Sequence, residues 1–127
     1  MINAKVLIVD DDEFLLDMYS LKFKESGFLV EIAANGEEAV KKAKEMPAPD
    51  VILLDVVMPK MDGFDVLRQL KKEKIAAGAL ILVLTNLGQK EDLDRGMKLG
   101  ASDYIVKAHF TPSEVVKRVE SLLEKRK

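Results

Sequence analysis

A chain of 127 residues that is 48% hydrophobic can build one substantial core, which excludes disorder for want of core-forming residues. A net charge of −2 gives no overall pull toward nucleic acid or an anionic membrane, so no direct nucleic-acid binding is expected. Without cysteine there are no disulfides, thiolate metal sites or thiol nucleophiles; no apolar run approaches the ~20 residues of a membrane span, and Asp10 comes too soon for a signal peptide. The expectation is a soluble cytoplasmic protein with no membrane part.

Five short apolar runs then alternate with amphipathic, charge-bearing segments. Lys5–Val9 is the first run, closed by Asp10-Asp11-Asp12-Glu13. Behind it Phe14, Met18 and Leu21 occupy one helical face and Leu15, Tyr19 and Phe23 another; one of the two sets belongs in the core. Ser26-Gly27 turns the chain into Phe28–Ala33, and Asn35-Gly36 turns it out again. Ala39, Val40, Ala43 and Met46 mark a second helix, separated by Pro47-Ala48-Pro49 from the run Val51–Leu54, which stops on Asp55. Pro59 and the pair Asp62-Gly63 lead into a third helix marked by Phe64, Leu67 and Leu70. Ala77-Gly78 precedes Leu80–Leu84, which runs into Thr85-Asn86. Leu93 and Met97 give a short, weakly apolar fourth helix, and Leu99-Gly100 leads to Tyr104–Val106 and Lys107. The last helix is the clearest. Thr111-Pro112-Ser113-Glu114 is a capping box with proline at the first helical position, followed by the stripe Val115, Val116, Val119, Leu122, Leu123.

Four of the five runs lack polar alternation, which suits strands covered on both faces. Regular β–α alternation predicts a five-stranded parallel sheet with right-handed crossovers and helices on both faces. With no linker or low-complexity segment, residues 1–127 read as one doubly wound α/β domain. In such a sheet, sites form beyond the carboxyl ends of the strands. The polar residues there are Asp10-Asp11-Asp12-Glu13, Asp55, Thr85-Asn86 and Lys107. In the common 2-1-3-4-5 order, the first and third strands are neighbours and their carboxylates come together beside a hydroxyl and an ammonium.

Each of these residues alone has an ordinary reading. Asp12 and Glu13 suit a helix first turn, a lone Asp a cap or turn, Thr a strand, and Lys a solvated surface. Their coincidence on four strand ends points to chemistry. Clustered carboxylates repel, and a divalent cation relieves them. Oxygen-only ligands, no Cys and a single His point to Mg²⁺. Magnesium attracts phosphoryl oxygens, for which Lys107 and Thr85 supply a cation and a hydroxyl, and a facing carboxylate can become an aspartyl phosphate.

VLIVDDDE, VILLDVVMPKMDG, LILVLTN and GASDYIVK resemble, in order and spacing from Lys5 to about Leu123, the receiver domains of two-component response regulators, chemotaxis-regulator-like in pattern. The resemblance implies the flavodoxin-like 2-1-3-4-5 sheet, so that order is not an independent expectation. It implies Asp55 as phosphoacceptor, Asp10 and Asp11 as the acidic pair positioning Mg²⁺, and the Val57 backbone carbonyl as a further ligand. Thr85 is the implied switch hydroxyl, Lys107 the phosphoryl-pairing lysine and Tyr104 the aromatic that follows the threonine. Pro59 and Gly63 shape backbone. Asp12 and Glu13 keep their ordinary reading. The implied function is a phosphorylation switch rather than a metabolic enzyme, loaded from a phosphohistidine on a histidine kinase or histidine phosphotransfer protein. Its output is a changed surface, of residues about 86–108 and the last helix, toward an effector protein or output domain. The apolar set of the first helix left outside the core is either a docking face for a kinase helix pair or a partly covered face.

Two residues depart from the family pattern, Ala108 and Asn86. Ala108 stands where proline usually follows the lysine across a cis bond; a non-proline cis bond costs about 3–4 kcal/mol, so a trans bond and a rearranged loop are expected. Asn86 replaces a usually small residue. Val57 and Leu87 offer no group to orient a water, which predicts slow self-dephosphorylation. His109, the only histidine, reads as a solvated loop residue rather than a relay histidine or metal ligand. A haloacid-dehalogenase-type phosphatase needs a second Asp where Val57 stands, and a flavin site lacks a phosphate-cradling loop after the first strand. The remaining alternative is a degenerate receiver that binds partners without phosphorylation. Within these residues no output domain is read, and a stand-alone regulator and a receiver cut from a longer protein are equally compatible with the sequence.

Overall fold

Each apolar run becomes a strand. In a computed structural model, which describes residues 4–86 and 90–126, they are β1 Lys5–Val9, β2 Leu29–Ala33, β3 Val51–Asp55, β4 Leu80–Thr85 and β5 Asp103–Val106. The segments between and after them are α1 Glu13–Glu25, α2 Gly36–Ala43, α3 Gly63–Lys72, α4 Lys90–Lys98 and α5 Pro112–Lys125. The strands form one parallel sheet in the order β2-β1-β3-β4-β5. β3, at the centre, is buried at every position, as an unalternating apolar run requires.

Successive strand side chains point to opposite faces, and this divides the core into two layers. Val6 and Ile8 pack with Leu16, Tyr19 and Phe23 of α1 and Val115, Val116 and Val119 of α5. Leu7 and Val9 pack with Val40 of α2 and Leu67 and Leu70 of α3. The core set of α1 is therefore Leu16, Tyr19 and Phe23, at i, i+3 and i+7, with Leu15 only partly buried; Phe14 and Leu21 stay exposed. α4 buries one residue, Gly96.

Helix ends follow local chemistry. Thr111 and Glu114 close the expected reciprocal capping box, and Asp62 with Asp65 makes another at α3. α2 stops at Ala43, three residues short of Met46, which is 84% exposed. Met46 keeps the helical spacing but precedes Pro47, and a residue before proline is driven out of the helical region. Phe28 belongs to the end of α1 rather than to β2. Its N–H reaches the Phe23 carbonyl and its ring meets the Phe23 ring edge-on at 4.9 Å.

α1, α3 and α4 all end in the same double-bonded turn, with 6→1 bonds Phe28 N–H to Phe23, Ile75 N–H to Leu70 and Ala101 N–H to Gly96. That turn needs one left-handed residue. Gly27 and Gly100 supply it in two cases, and Lys74 at φ 55° in the third. A left-handed conformation costs a side-chain-bearing residue roughly 1–2 kcal/mol. Lys74→Gly is expected to stabilise the fold by about 1 kcal/mol, moving the thermal midpoint up by roughly 4 °C, measurable by calorimetry.

At the β2 edge, Lys42 Nζ donates to the Ile32 carbonyl and pairs with Glu38 at 3.2 Å and Glu31 at 3.8 Å. At the sheet's amino edge, Arg126 donates to the Asp50 and Gly78 carbonyls.

Candidate functional site

β1 and β3 end side by side, so their terminal carboxylates meet at the carboxyl edge of the sheet. Asp10 continues β1 by one residue, held by its N–H on the Ala33 carbonyl, and its side chain is fully buried. Its Oδ1 accepts the Asp12 N–H at 3.0 Å. Asp12 itself caps α1, accepting the N–H groups of Phe14 and Leu15, so its ordinary reading holds. Asp55 is the last residue of β3 and is buried, while Asp11 is exposed at the rim. One carboxylate oxygen from each of Asp10, Asp11 and Asp55 lies within 4.8 Å of the others.

Lys107 reaches this cluster from the end of β5, on the far side of the sheet's centre. Its Nζ donates to Asp10 Oδ2 at 2.7 Å and lies 3.0 Å from Asp55 Oδ1. Among the described residues the cis peptide is Met46–Pro47, so Lys107–Ala108 is trans, and Lys107–His109 form a single 3-10 turn. The bond is trans as expected, and the ammonium reaches both carboxylates from this turn. His109 is exposed.

Electrostatics decide what this arrangement can hold. Burial, then the Asp10 charge, push the Asp55 carboxyl up to about 7, and the Lys107 ammonium only partly counters them. Burial opposes the charged form of Lys107, but its bonds and charge contacts with Asp10 and Asp55 raise it above an ordinary lysine. With all three carboxylates ionised and one ammonium beside them, the site carries a net charge of −2, two of its carboxylates being buried. The donor set is oxygen only, which fits a hard divalent cation such as Mg²⁺ in both ligand type and charge.

Thr85 ends β4, buried, one residue beyond the Leu84 that pairs with Asp55. Strand register pairs Thr85 with Val106 and Val83 with Tyr104, so Thr85 and Tyr104 share a sheet face. Tyr104 is 40% exposed on the edge strand, away from the carboxylates. Val57 is 67% exposed at the rim, and Asn86 is exposed. Leu87 lies outside the described residues. Tyr19, which the sequence puts in one of two candidate helical faces, is core and also within electrostatic reach of the site. Burial raises its hydroxyl pKa, Lys107 lowers it, and Asp10 and Asp55 raise it. Its signal in the sequence was a hydroxyl-bearing ring in an otherwise apolar helical set.

The loop after Asp55 is folded tightly back on it. Gly63 N–H bonds the Val56 carbonyl at 2.9 Å, and a Cβ on Gly63 would sit 2.3 Å from the Asp55 carbonyl oxygen. Lys60 takes a left-handed conformation at φ 68° within the same loop.

Comparison with known proteins agrees with this geometry. The response regulator receiver domain family matches residues 6–120. The alkaline phosphatase synthesis transcriptional regulatory protein PhoP of Bacillus subtilis (strain 168) is 42% identical over 123 residues, 97% of this chain and 50% of that protein. The chain thus spans about half the length of the curated relatives it matches. The Francisella response regulator 1452 receiver domain superposes with a TM-score of 0.86 at 34% identity, covering 98% of this chain and 100% of that one. Chemotaxis protein CheY4 of Vibrio cholerae gives 0.86 at 35% identity, covering 94% and 98%. Nothing among the described residues favours the degenerate alternative, since Asp10, Asp11, Asp55 and Lys107 converge and Thr85 stands beside them. With sequence match, sheet order and strand-end cluster in agreement, the chain belongs to the response regulator receiver domain family and is a phosphorylation-dependent signalling domain of two-component systems.

Proposed function

We propose that residues 1–127 form one cytoplasmic receiver domain whose Asp55 takes a phosphoryl group from the phosphohistidine of a histidine kinase or histidine phosphotransfer protein. The surface of α4, β5 and α5 then changes its preference for an effector protein or output domain. The observation that carries this reading is the Lys107 ammonium held between Asp10 and Asp55, at 2.7 and 3.0 Å. A carboxylate oxygen of Asp55 forms the new bond to phosphorus as the P–N bond breaks, and the electron pair of that bond returns to the imidazole. Lys107 then pairs with a phosphoryl oxygen, and its hold on Asp10 keeps it at that edge. Asp10, Asp11 and Asp55, with the Val57 carbonyl, are the residues that would hold Mg²⁺. Bound there, the ion neutralises the carboxylates and draws charge from the phosphoryl oxygens. Phosphorylation adds roughly 1.5–2 negative charges. Thr85 is drawn toward them, and Tyr104, on the same sheet face, follows. The domain promotes only its own phosphorylation and dephosphorylation.

Incubation with Mg²⁺ and acetyl phosphate, read by intact mass, tests the acceptor. Wild type gains one phosphoryl group and Asp55→Asn gains none; equal labelling of both defeats the assignment. Val57 at the rim carries no group to orient a water toward the aspartyl phosphate. The label is therefore expected to persist longer than minutes in Mg²⁺ buffer, and its loss within seconds in a mass time course contradicts this.

A further inference from the structure

α4 is fastened to the rest of the domain in an unusual way. An ordinary surface helix buries an apolar stripe, but α4 buries only Gly96. A Cβ on Gly96 would lie 3.5 Å from Val83 Cγ2 and 3.6 Å from Phe64 Cε1, so the helix backbone itself rests on Phe64 and β4. Beside it the Arg95 guanidinium stacks over the Phe64 ring, 4.5 Å from its centroid. Phe64 in turn is a buried residue in the first turn of α3, next to Gly63, whose backbone abuts the Asp55 carbonyl. The chain of contact is continuous: Asp55 main chain, Gly63, Phe64, then Arg95 and Gly96.

We propose that Arg95 and Gly96 form a clasp on Phe64 that holds α4 in the position described, tying it to the Asp55 loop by a route separate from Thr85 and Tyr104. This rests on the reading of Asp55 as phosphoacceptor. In this proposal the clasp is made in the unphosphorylated arrangement, so opening it lowers the cost of rearranging α4. It is a weak fastening by design of its parts. An exposed cation–π contact shifts an equilibrium by about 2- to 5-fold, and no buried apolar side chain of α4 adds to it.

The test uses Arg95→Met, a surface change that leaves the core intact, with Arg95→Lys as the conservative variant and Lys98→Met as a control for lost charge on the same helix. Two readouts are taken: amide hydrogen exchange of Asp94 to Lys98 in the free protein, and the beryllofluoride concentration giving half-saturation in Mg²⁺ buffer by NMR. Arg95→Met is expected to speed exchange in α4 about 2- to 5-fold and to lower the half-saturation concentration by a similar factor. Amides of β3 and β4 stay unchanged, Arg95→Lys falls between, and Lys98→Met leaves α4 exchange unchanged. Unchanged α4 exchange, or a half-saturation concentration that is unchanged or raised, overturns the clasp while wild type still binds beryllofluoride. A wild type that does not respond to beryllofluoride at all overturns the phosphoacceptor reading and, with it, the clasp's place in the switch.

Discussion

Asp55→Asn is expected to raise the thermal midpoint of the metal-free protein at pH 8 while it abolishes phosphoryl uptake. Asp55 shares a buried strand end with Asp10, and one ammonium serves both. Burial and the Asp10 charge move its carboxyl from 3.8 up to about 7. A carboxyl whose pKa is higher in the folded than in the unfolded state takes up a proton on folding, so its ionised form destabilises. That destabilisation is absent below pH 4, grows through the interval from 4 to 7, and is complete above about 7. Asparagine removes it and leaves Asp10 and Lys107 as a neutral pair. In the presence of a chelator the variant should exceed wild type by a few kcal/mol at pH 8, or ten or so degrees, and the two should converge near pH 4. Added Mg²⁺ reverses the order of gain, stabilising wild type more than the variant. Melting curves at four pH values, with EDTA and with Mg²⁺, contain the whole comparison; a difference that does not change with pH contradicts the burial argument.

Gly63→Ala is expected to be among the most damaging single-methyl additions in the chain. The new Cβ would stand 2.3 Å from the Asp55 carbonyl oxygen and 2.9 Å from Val56 Cα, both main-chain atoms without a rotamer to relieve the overlap. Either β3 or the start of α3 has to move. Overpacking in rigid surroundings costs about 3 kcal/mol or more, a fall in the thermal midpoint of roughly 12 °C. Because the displaced atom belongs to Asp55, beryllofluoride affinity should fall together with stability. Gly78→Ala is the matched control. Among the described residues its added methyl meets only the Arg126 guanidinium, at 3.7 Å, and should change stability by less than about 0.5 kcal/mol.

The strands were legible because each is a short apolar run between turn residues, and the first and third are buried almost throughout. Their ends were legible less well. β3 takes in Asp55 and β4 takes in Thr85, because the backbone ladder continues past the point where apolar residues stop. Strand order came with the family resemblance rather than from the pattern itself. Met46 misled because periodicity takes no account of the proline that follows it. Leu16 was missed because α1 carries apolar residues on most sides, and only packing against Ile8, Leu84 and α5 selects the buried ones. The seat of α4 was invisible for a plainer reason. Its buried residue is glycine, which has no side chain to contribute to any apolar pattern. The site residues were legible as strand-end polar groups, but their distances, the trans Lys107–Ala108 bond and the approach of Tyr19 depend on how the layers close.

Lys107 and Asp10 are 97 residues apart in sequence and 2.7 Å apart in space. One comes after the last strand and the other after the first, and β3 and β4 lie between β1 and β5 in the sheet. Contacts of such long sequence separation close late, after the loop entropy of the intervening chain has been spent. During synthesis the carboxylates of β1 and β3 can meet well before the ammonium arrives. An incompletely assembled domain therefore presents an over-charged, unbalanced acidic edge in place of a working site. Asp10 and Asp55 thus gain the ammonium they share only once β5 has joined the sheet beside β4.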